Sequence, residues 1–292
     1  MQSAAGNLVR RTIVTLSVVF ALAAPGPSVA DDTLRIGLLP SESAPDVVRK
    51  HRAFGEALSA ALDRPVELVV GVDYSATAEA LRFGRLDMAY LGPASFVLLS
   101  TRAEIAPLVR PEHPDGRSTF HSVVIVPNEN PTQTLEELRG TEIAFGDVAS
   151  TSGHVVPRAM LLDAGLAAGK DYEPRYLGAH DAVALAVARG RVAAGGVSLP
   201  VLERLFAQGS IDMNKLRIIA YSEPIPEYAW VAAPETTESG IEILRRALLG
   251  MKEPDALLPF GAHRFVAAAR ADYDGIKSRM ERLDLIAPAS SK

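Results

Sequence analysis

Residues 146–154 read Gly146-Asp147-Val148-Ala149-Ser150-Thr151-Ser152-Gly153-His154. An apolar, strand-like run (141–145) precedes them, and a run with helical character (155–164) follows. A strand that passes through three hydroxyl residues into a helix is the grammar of an α/β chain. The first N–H groups of such a helix have no partner inside it, and the peptide dipoles leave positive potential there. The hydroxyls of Ser150, Thr151 and Ser152 add donors that turn toward an oxygen. The stretch lacks the Gly-Lys-Ser/Thr ending of a nucleotide P-loop, so it reads as a cradle for a small oxyanion and not for ATP. The alternative is an ordinary N-cap, since Ser and Thr are favoured there in any protein.

The same alternation extends outward in both directions. Leu34-Arg35-Ile36-Gly37-Leu38-Leu39 reads as a buried strand, 44–62 as a helix, Val66-Glu67-Leu68-Val69-Val70 as a strand and 74–83 as a helix. Met88-Ala89-Tyr90-Leu91 is strand-like, and Gly92-Pro93 opens a further helix. A second unit follows: Ile143-Ala144-Phe145, a helix over 154–164 ended by Gly165, a strand over 172–177, a helix over 180–189, the short strand Gly195-Gly196-Val197, and a helix over 200–208. The β-rich run His121-Ser122-Val123-Val124-Ile125-Val126 joins the two units. A second extended run, 216–221, leads through Pro224 and Pro226 to Tyr228-Ala229-Trp230-Val231, and the end of the chain reads as helical over 241–251 and 265–285. The expected fold is α/β and two-lobed, each lobe a mostly parallel sheet flanked by helices, with two crossing segments between the lobes. Residues 31–118 with 229–292 form one lobe, and 119–228 form the other. A ligand would sit between them, at the carboxyl ends of the strands.

Residues 1–30 carry the marks of an export signal. Arg10 and Arg11 are the charged start, 13–24 an apolar run, and Ser28-Val29-Ala30 a small-x-small cleavage site. The arginine pair leaves both general and twin-arginine export open. The expected location is the periplasm. The chain has no cysteine, which removes disulfides, thiolate metal sites and cysteine nucleophiles. A net charge of −5 argues against a nucleic-acid binder but not against a small-anion site, where local dipoles decide.

Three other strand-to-helix junctions carry suitable groups: Leu39-Pro40-Ser41-Glu42-Ser43, Tyr90-Leu91-Gly92-Pro93-Ala94-Ser95 and Gly178-Ala179-His180-Asp181. All would converge on the Ser150 loop. Tyrosine is a neutral donor that tolerates burial when paired, and histidine donates when neutral. Taken singly, Tyr74 and Tyr90 read first as half-buried packing residues, and Asp181 reads equally as a first-turn carboxylate serving its helix dipole. Asp147, Ser150 and His154 match a catalytic triad in composition only. There is no Gly-x-Ser-x-Gly elbow and no histidine pair at metal-ligand spacing, so neither an enzyme nor a metal or cofactor site is expected.

Several segments in order carry a family likeness: Asp73-Tyr74-Ser75, Asp87-Met88-Ala89-Tyr90-Leu91-Gly92-Pro93, Gly146-Asp147 with Ser150-Thr151-Ser152-Gly153-His154, and Ala179-His180-Asp181. Over most of its length the chain resembles the periplasmic phosphate/phosphite/phosphonate-binding proteins of ABC importers, the PhnD-like family. The resemblance implies a type II binding-protein fold that closes on a phosphorus oxyanion and delivers it, as a monomer, to an inner-membrane permease. It also implies the ligand-binding residues Tyr74, Tyr90, Ser150, Thr151, Ser152, His180 and Asp181, to which His154, at the end of the same loop, is added as a candidate. Ser198 stands where relatives often place Asp or Asn, which favours phosphate, phosphite or a short alkylphosphonate over an aminoalkylphosphonate. The alternatives are a ligand-sensing receptor for a signalling partner and a phosphoester hydrolase.

Overall fold

The computed structural model describes residues 33–288. The export segment read at 1–30 lies outside them. Among the described residues no helix is long and apolar enough to cross a membrane. The chain runs β1 (Leu34–Leu38), α1 (Ala44–Leu62), β2 (Val66–Val70), α2 (Tyr74–Arg82), β3 (Met88–Leu91), α3 (Pro93–Ser100) and β4 (Pro107–Glu112). It continues with β5 (Thr119–Phe120), β6 (Ser122–Pro127), β7 (Glu142–Phe145), a π-helical turn (Thr151–Val155), α4 (Val156–Asp163), β8 (Glu173–Tyr176), α5 (His180–Ala188), β9 (Ala194–Ser198) and α6 (Leu199–Ala207). It closes with β10 (Leu216–Tyr221), β11 (Ile225–Pro226), β12 (Ala229–Ala232), α7 (Glu238–Leu249), α8 (Pro254–Leu257), β13 (Arg264–Ala267) and α9 (Asp274–Arg282).

The strands form two large sheets. The first has the order β13-β4-β12-β3-β1-β2 and the second the order β10-β6-β9-β7-β8. Each is parallel where helices make the crossovers (β2-β1-β3 and β9-β7-β8) and antiparallel at its other pairings. The sheets are therefore mixed rather than mostly parallel.

Side-chain alternation along each strand serves two helical layers at once. In the first sheet Leu34, Ile36, Leu38, Met88 and Trp230 face Phe54 and Leu58 of α1 and Leu244 and Leu248 of α7. Ala89, Leu91 and Val231 face the other way, toward Leu81, Phe96, Ile276 and Met280 of α2, α3 and α9. In the second sheet Val123, Ile125 and Val197 pack on α5 and α6, whereas Val124, Ile143 and Phe145 pack on Leu161 of α4. The Phe54 ring stacks on Trp230 with centroids 4.7 Å apart and meets Phe260 edge-on at 5.2 Å.

Two expectations change, and one strand goes unread in the sequence. Residues 265–285 are not one helix: Arg264–Ala267 is strand β13, and α9 begins only at Asp274. Phe265 turns inward to Phe54 and Phe260, and this tertiary contact outweighs the helical spacing of the sequence. Strand β4, hidden in sequence by Pro107 and Pro111, pairs with β13 and β12. Residues 122–126 do not join the halves. They lie inside β6, fully buried in the second sheet. The chain crosses at 113–121 and 222–228, and β5 and β11 pair there in an antiparallel ribbon, Phe120 opposite Ile225.

The Phe54→Ala variant removes the ring on which Trp230, Phe260 and Phe265 converge. We expect it to lower unfolding free energy by about 3–5 kcal/mol in urea titrations, with the fold retained.

Candidate functional site

Each hydroxyl of the 150–152 run has a different environment. Ser150 caps the helix start: its Oγ accepts from Gly153 N at 3.1 Å. Thr151 Oγ1 accepts from Ala94 N at 2.8 Å, so it meets an unpaired N–H at the start of α3, across the cleft. The Ser152 hydroxyl is buried and has no hydrogen-bond partner. The turn is π-helical before α4 begins, a wider geometry often found at functional sites. A helix was expected from His154; instead the helical turn starts three residues earlier, because Ser150 supplies the cap.

Tyrosines from three elements face these groups. Tyr74 opens α2, capped by Asp73, whose side chain accepts from Ala76 N. Its hydroxyl lies beside Ser150 and Tyr228, is fully buried, and has hydrogen-bond geometry with neither. The Tyr228 hydroxyl lies beside Ser152. Tyr90, on β3, lies between Tyr228 and Trp230, its ring tilted against both with centroids 5.2 Å and 4.9 Å away. Burial, reinforced by neighbouring phenols and carboxylates, raises the pKa of all three tyrosines, so they are neutral donors.

His180 begins α5. Its backbone N–H donates to Ser41 O at 3.1 Å, and its Nδ1 accepts from Ser198 N at 3.2 Å. That bond assigns the proton of the neutral ring to Nε2. Nε2 is buried and has no partner. Burial depresses the His180 pKa to about 4, with a smaller push from Arg204. Two glycines permit these approaches. A Cβ on Gly153 would stand 2.9 Å from His180 Cε1 and 2.9 Å from Ser150 Oγ. A Cβ on Gly92 would stand 3.0 Å from Tyr228 Cζ and 3.2 Å from Thr151 Oγ1.

The fold thus gathers Tyr74, Ser150, Thr151, Ser152 and His180, with Tyr90 behind Tyr228. It does not bring in His154 or Asp181. His154 Nδ1 contacts Val148 O at 2.7 Å and its Nε2 the Tyr176 hydroxyl at 3.3 Å, with the ring against Phe145. With both nitrogens engaged, His154 is no base for Ser150. Asp181 is half-buried and accepts from the N–H of Ala182 at 2.7 Å, in the helix-start role. Sequence reasoning missed Tyr228 and the role of Asp147. The Asp147 carboxylate accepts from Ala149 N at 2.7 Å and, across the cleft, from Tyr74 N at 3.2 Å. The signal for Tyr228 was its place at the end of a crossing segment, where a side chain faces both sheets. Beyond Tyr90 and Tyr228 a cavity of 580 Å³ opens between α1 and α6, reaching Ser41 and Ser198.

The family model described as "ABC transporter, phosphonate, periplasmic substrate-binding protein" matches residues 36–273, and the chain belongs to this family. It is 24% identical over 272 residues to the "Phosphate-import protein PhnD" of Mycolicibacterium smegmatis, covering 84% of each chain. It is 24% identical to the "Probable ABC transporter phosphite binding protein PhnD1" of Prochlorococcus marinus, covering 94% of this chain and 97% of that one. A solved structure of PhnD1 from Prochlorococcus marinus in complex with methylphosphonate superposes with a TM-score of 0.79. It shares 24% identity and covers 88% of this chain and all of that one. The two-lobed fold is that of the type II periplasmic binding proteins.

His180 and His154 are both held near a pKa of about 4 by burial, against an ordinary value of 6.5. Between those values the unfolded chain binds more protons than the folded one, so stability falls as pH falls through this window and stays lost below it. Urea midpoints should drop from pH 7 to pH 4.5, and His180→Gln should flatten part of that drop.

Proposed function

We propose that this chain captures the tetrahedral oxyanion of a phosphonate, phosphite or phosphate between its two sheets and delivers it, without chemical turnover, to an ABC permease. The observation that carries the reading is three buried donors without partners, the Tyr74 hydroxyl, the Ser152 hydroxyl and His180 Nε2, on residues that all adjoin the 150–153 turn. A buried, unpaired polar group costs about 1–3 kcal/mol, so three beside one helix start suit oxygen atoms from elsewhere. All three are neutral, and charge would be balanced by dipoles in a site closed to water, where hydrogen bonds strengthen. Ser150 and Thr151 keep a hydroxyl proton each, and the Tyr228 phenol completes the ring of donors. The ligands named for the Mycolicibacterium and Prochlorococcus relatives support the same class.

Export through residues 1–30 would place the protein in the periplasm as a monomer. Residues 31–118 with 229–292 act as one lobe and 119–228 as the other. They turn about the ribbon of β5 and β11 and close through Thr151–Ala94, Asp147–Tyr74 and His180–Ser41.

Calorimetry with phosphate, phosphite, methylphosphonate and sulfate tests the reading. We expect Tyr74→Phe to weaken phosphorus-oxyanion binding by about 1.5–3 kcal/mol, the worth of a hydrogen bond to a charged group, while unliganded stability is unchanged or raised. Equal affinity in wild type and variant would remove Tyr74 from the site. Small-angle scattering should show a smaller radius of gyration with saturating ligand, and an unchanged radius would leave hinge closure without support.

A further inference from the structure

The cavity beyond Tyr90 and Tyr228 has an unusual balance of charge. Two buried carboxylates face it, Glu42 and Glu227. Both are already matched. Glu42 is held in a two-pronged pair by Arg204, with Nε at 3.2 Å. Glu227 Oε1 meets His113 Nε2 at 2.9 Å, and its Oε2 accepts from Tyr228 N at 3.3 Å. The Glu227 contact raises the His113 pKa to about 9, so this pair is ionic at neutral pH. His51, also in the wall, bonds Val47 O, and burial holds it neutral with a pKa of about 4. At the mouth Asp46 pairs with Arg49, while Glu203 and Asp255 are solvent-exposed.

Lys50 remains. It projects from α1 into the same cavity, is partly buried, and has neither a hydrogen bond nor an ion pair among the described residues. Burial, and then the nearby Arg204, lower its pKa to about 8, with Glu42 and Glu227 opposing more weakly. A partly buried ammonium without a close counter-ion is poorly compensated, and an anion beside it would stabilise its charged form. Leu39, Phe120 and Phe260 give the same cavity an apolar lining suited to methylene groups.

We propose that the cavity is a second anion subsite, and that the preferred ligands are phosphonates carrying a carboxylate on a short alkyl chain. The phosphonyl head would sit at Tyr74, Ser152 and His180, the methylenes against the apolar wall, and the carboxylate at Lys50. This rests on the oxyanion reading of the cleft. It also gives a second ground, independent of Ser198, for disfavouring an ammonium substituent, since no carboxylate in the interior wall is free to receive one.

Calorimetry with methylphosphonate, n-propylphosphonate, 3-phosphonopropionate and 2-aminoethylphosphonate separates the two levels. In the wild type, 3-phosphonopropionate should bind at least about tenfold more tightly than n-propylphosphonate, which matches it in length but ends in a methyl group. In Lys50→Met the ratio should fall to near one while methylphosphonate affinity is unchanged, and Lys50→Arg should keep part of the preference. In paired buffers at pH 8, 3-phosphonopropionate should draw protons onto the wild type beyond those drawn by n-propylphosphonate, an excess missing in Lys50→Met. The subsite is overturned if methylphosphonate binds but the carboxylate adds no affinity, if Lys50→Met leaves the ratio intact, or if 2-aminoethylphosphonate is the tightest probe. If none of the four binds while phosphate or phosphite does, the subsite is overturned and the oxyanion reading stands; if phosphate and phosphite also fail to bind, both fall.

Discussion

Helix starts need partners for their N–H groups, and at the centre of this protein those partners come from the opposite side of a cleft. Two helices of the first half, α2 and α3, begin where the 146–154 loop of the second half arrives. The loop meets both: the Asp147 carboxylate takes the Tyr74 N–H, and Thr151 Oγ1 takes the Ala94 N–H. Ser95 Oγ adds a bond to Ala149 O at 3.1 Å. An unpaired buried N–H is expensive, so each capping bond holds the halves in register as well as stabilising a helix. The apolar contact beneath follows the same line, since Val155, Val156 and Ala159 share a core with Phe96, Tyr273 and Ile276.

That arrangement satisfies the backbone and leaves side-chain donors over. Ser150 spends its acceptor capacity on its own helix and Thr151 on its neighbour's, whereas Tyr74, Ser152 and His180 keep unpaired donors. The tyrosines are pushed toward the neutral form and His180 is neutral above a pKa of about 4, so across the physiological range the cluster presents dipoles without formal charge. An anion held this way needs no buried cation at its head. The formal charges stand to one side, in the cavity between α1 and α6, where Arg204 and His113 are tied to carboxylates and Lys50 is not.

Much of this was legible in sequence. The alternation of strand and helix, the junctions at Ser41, Tyr90 and His180, and the hydroxyl loop are local patterns, and local patterns survive into the fold. The reading failed where distant contacts override local spacing. Helical periodicity over 265–285 gave way at Phe265, which the aromatic group around Phe54 draws into an edge strand. The prolines of β4 masked a strand that its neighbours enforce.

The amino-acid sequence by itself determined the α/β grammar and the supply of hydroxyl, phenol and imidazole groups at strand ends, because strand alternation, helix capping and junction chemistry act over a few residues. It also carried the family likeness. Only the tertiary structure decided which of those groups meet. Which way a side chain faces depends on partners far along the chain. His154 turns to Val148 and Tyr176, Asp181 to the N–H beside it, and Tyr228, unremarkable in sequence, reaches the centre because the crossing segment carries it there. The matching of Glu42 to Arg204, 162 positions apart, and of Glu227 to His113, 114 apart, was likewise invisible in the sequence. Charge pairing is a property of positions in space, so only the folded chain shows that Lys50 is left over.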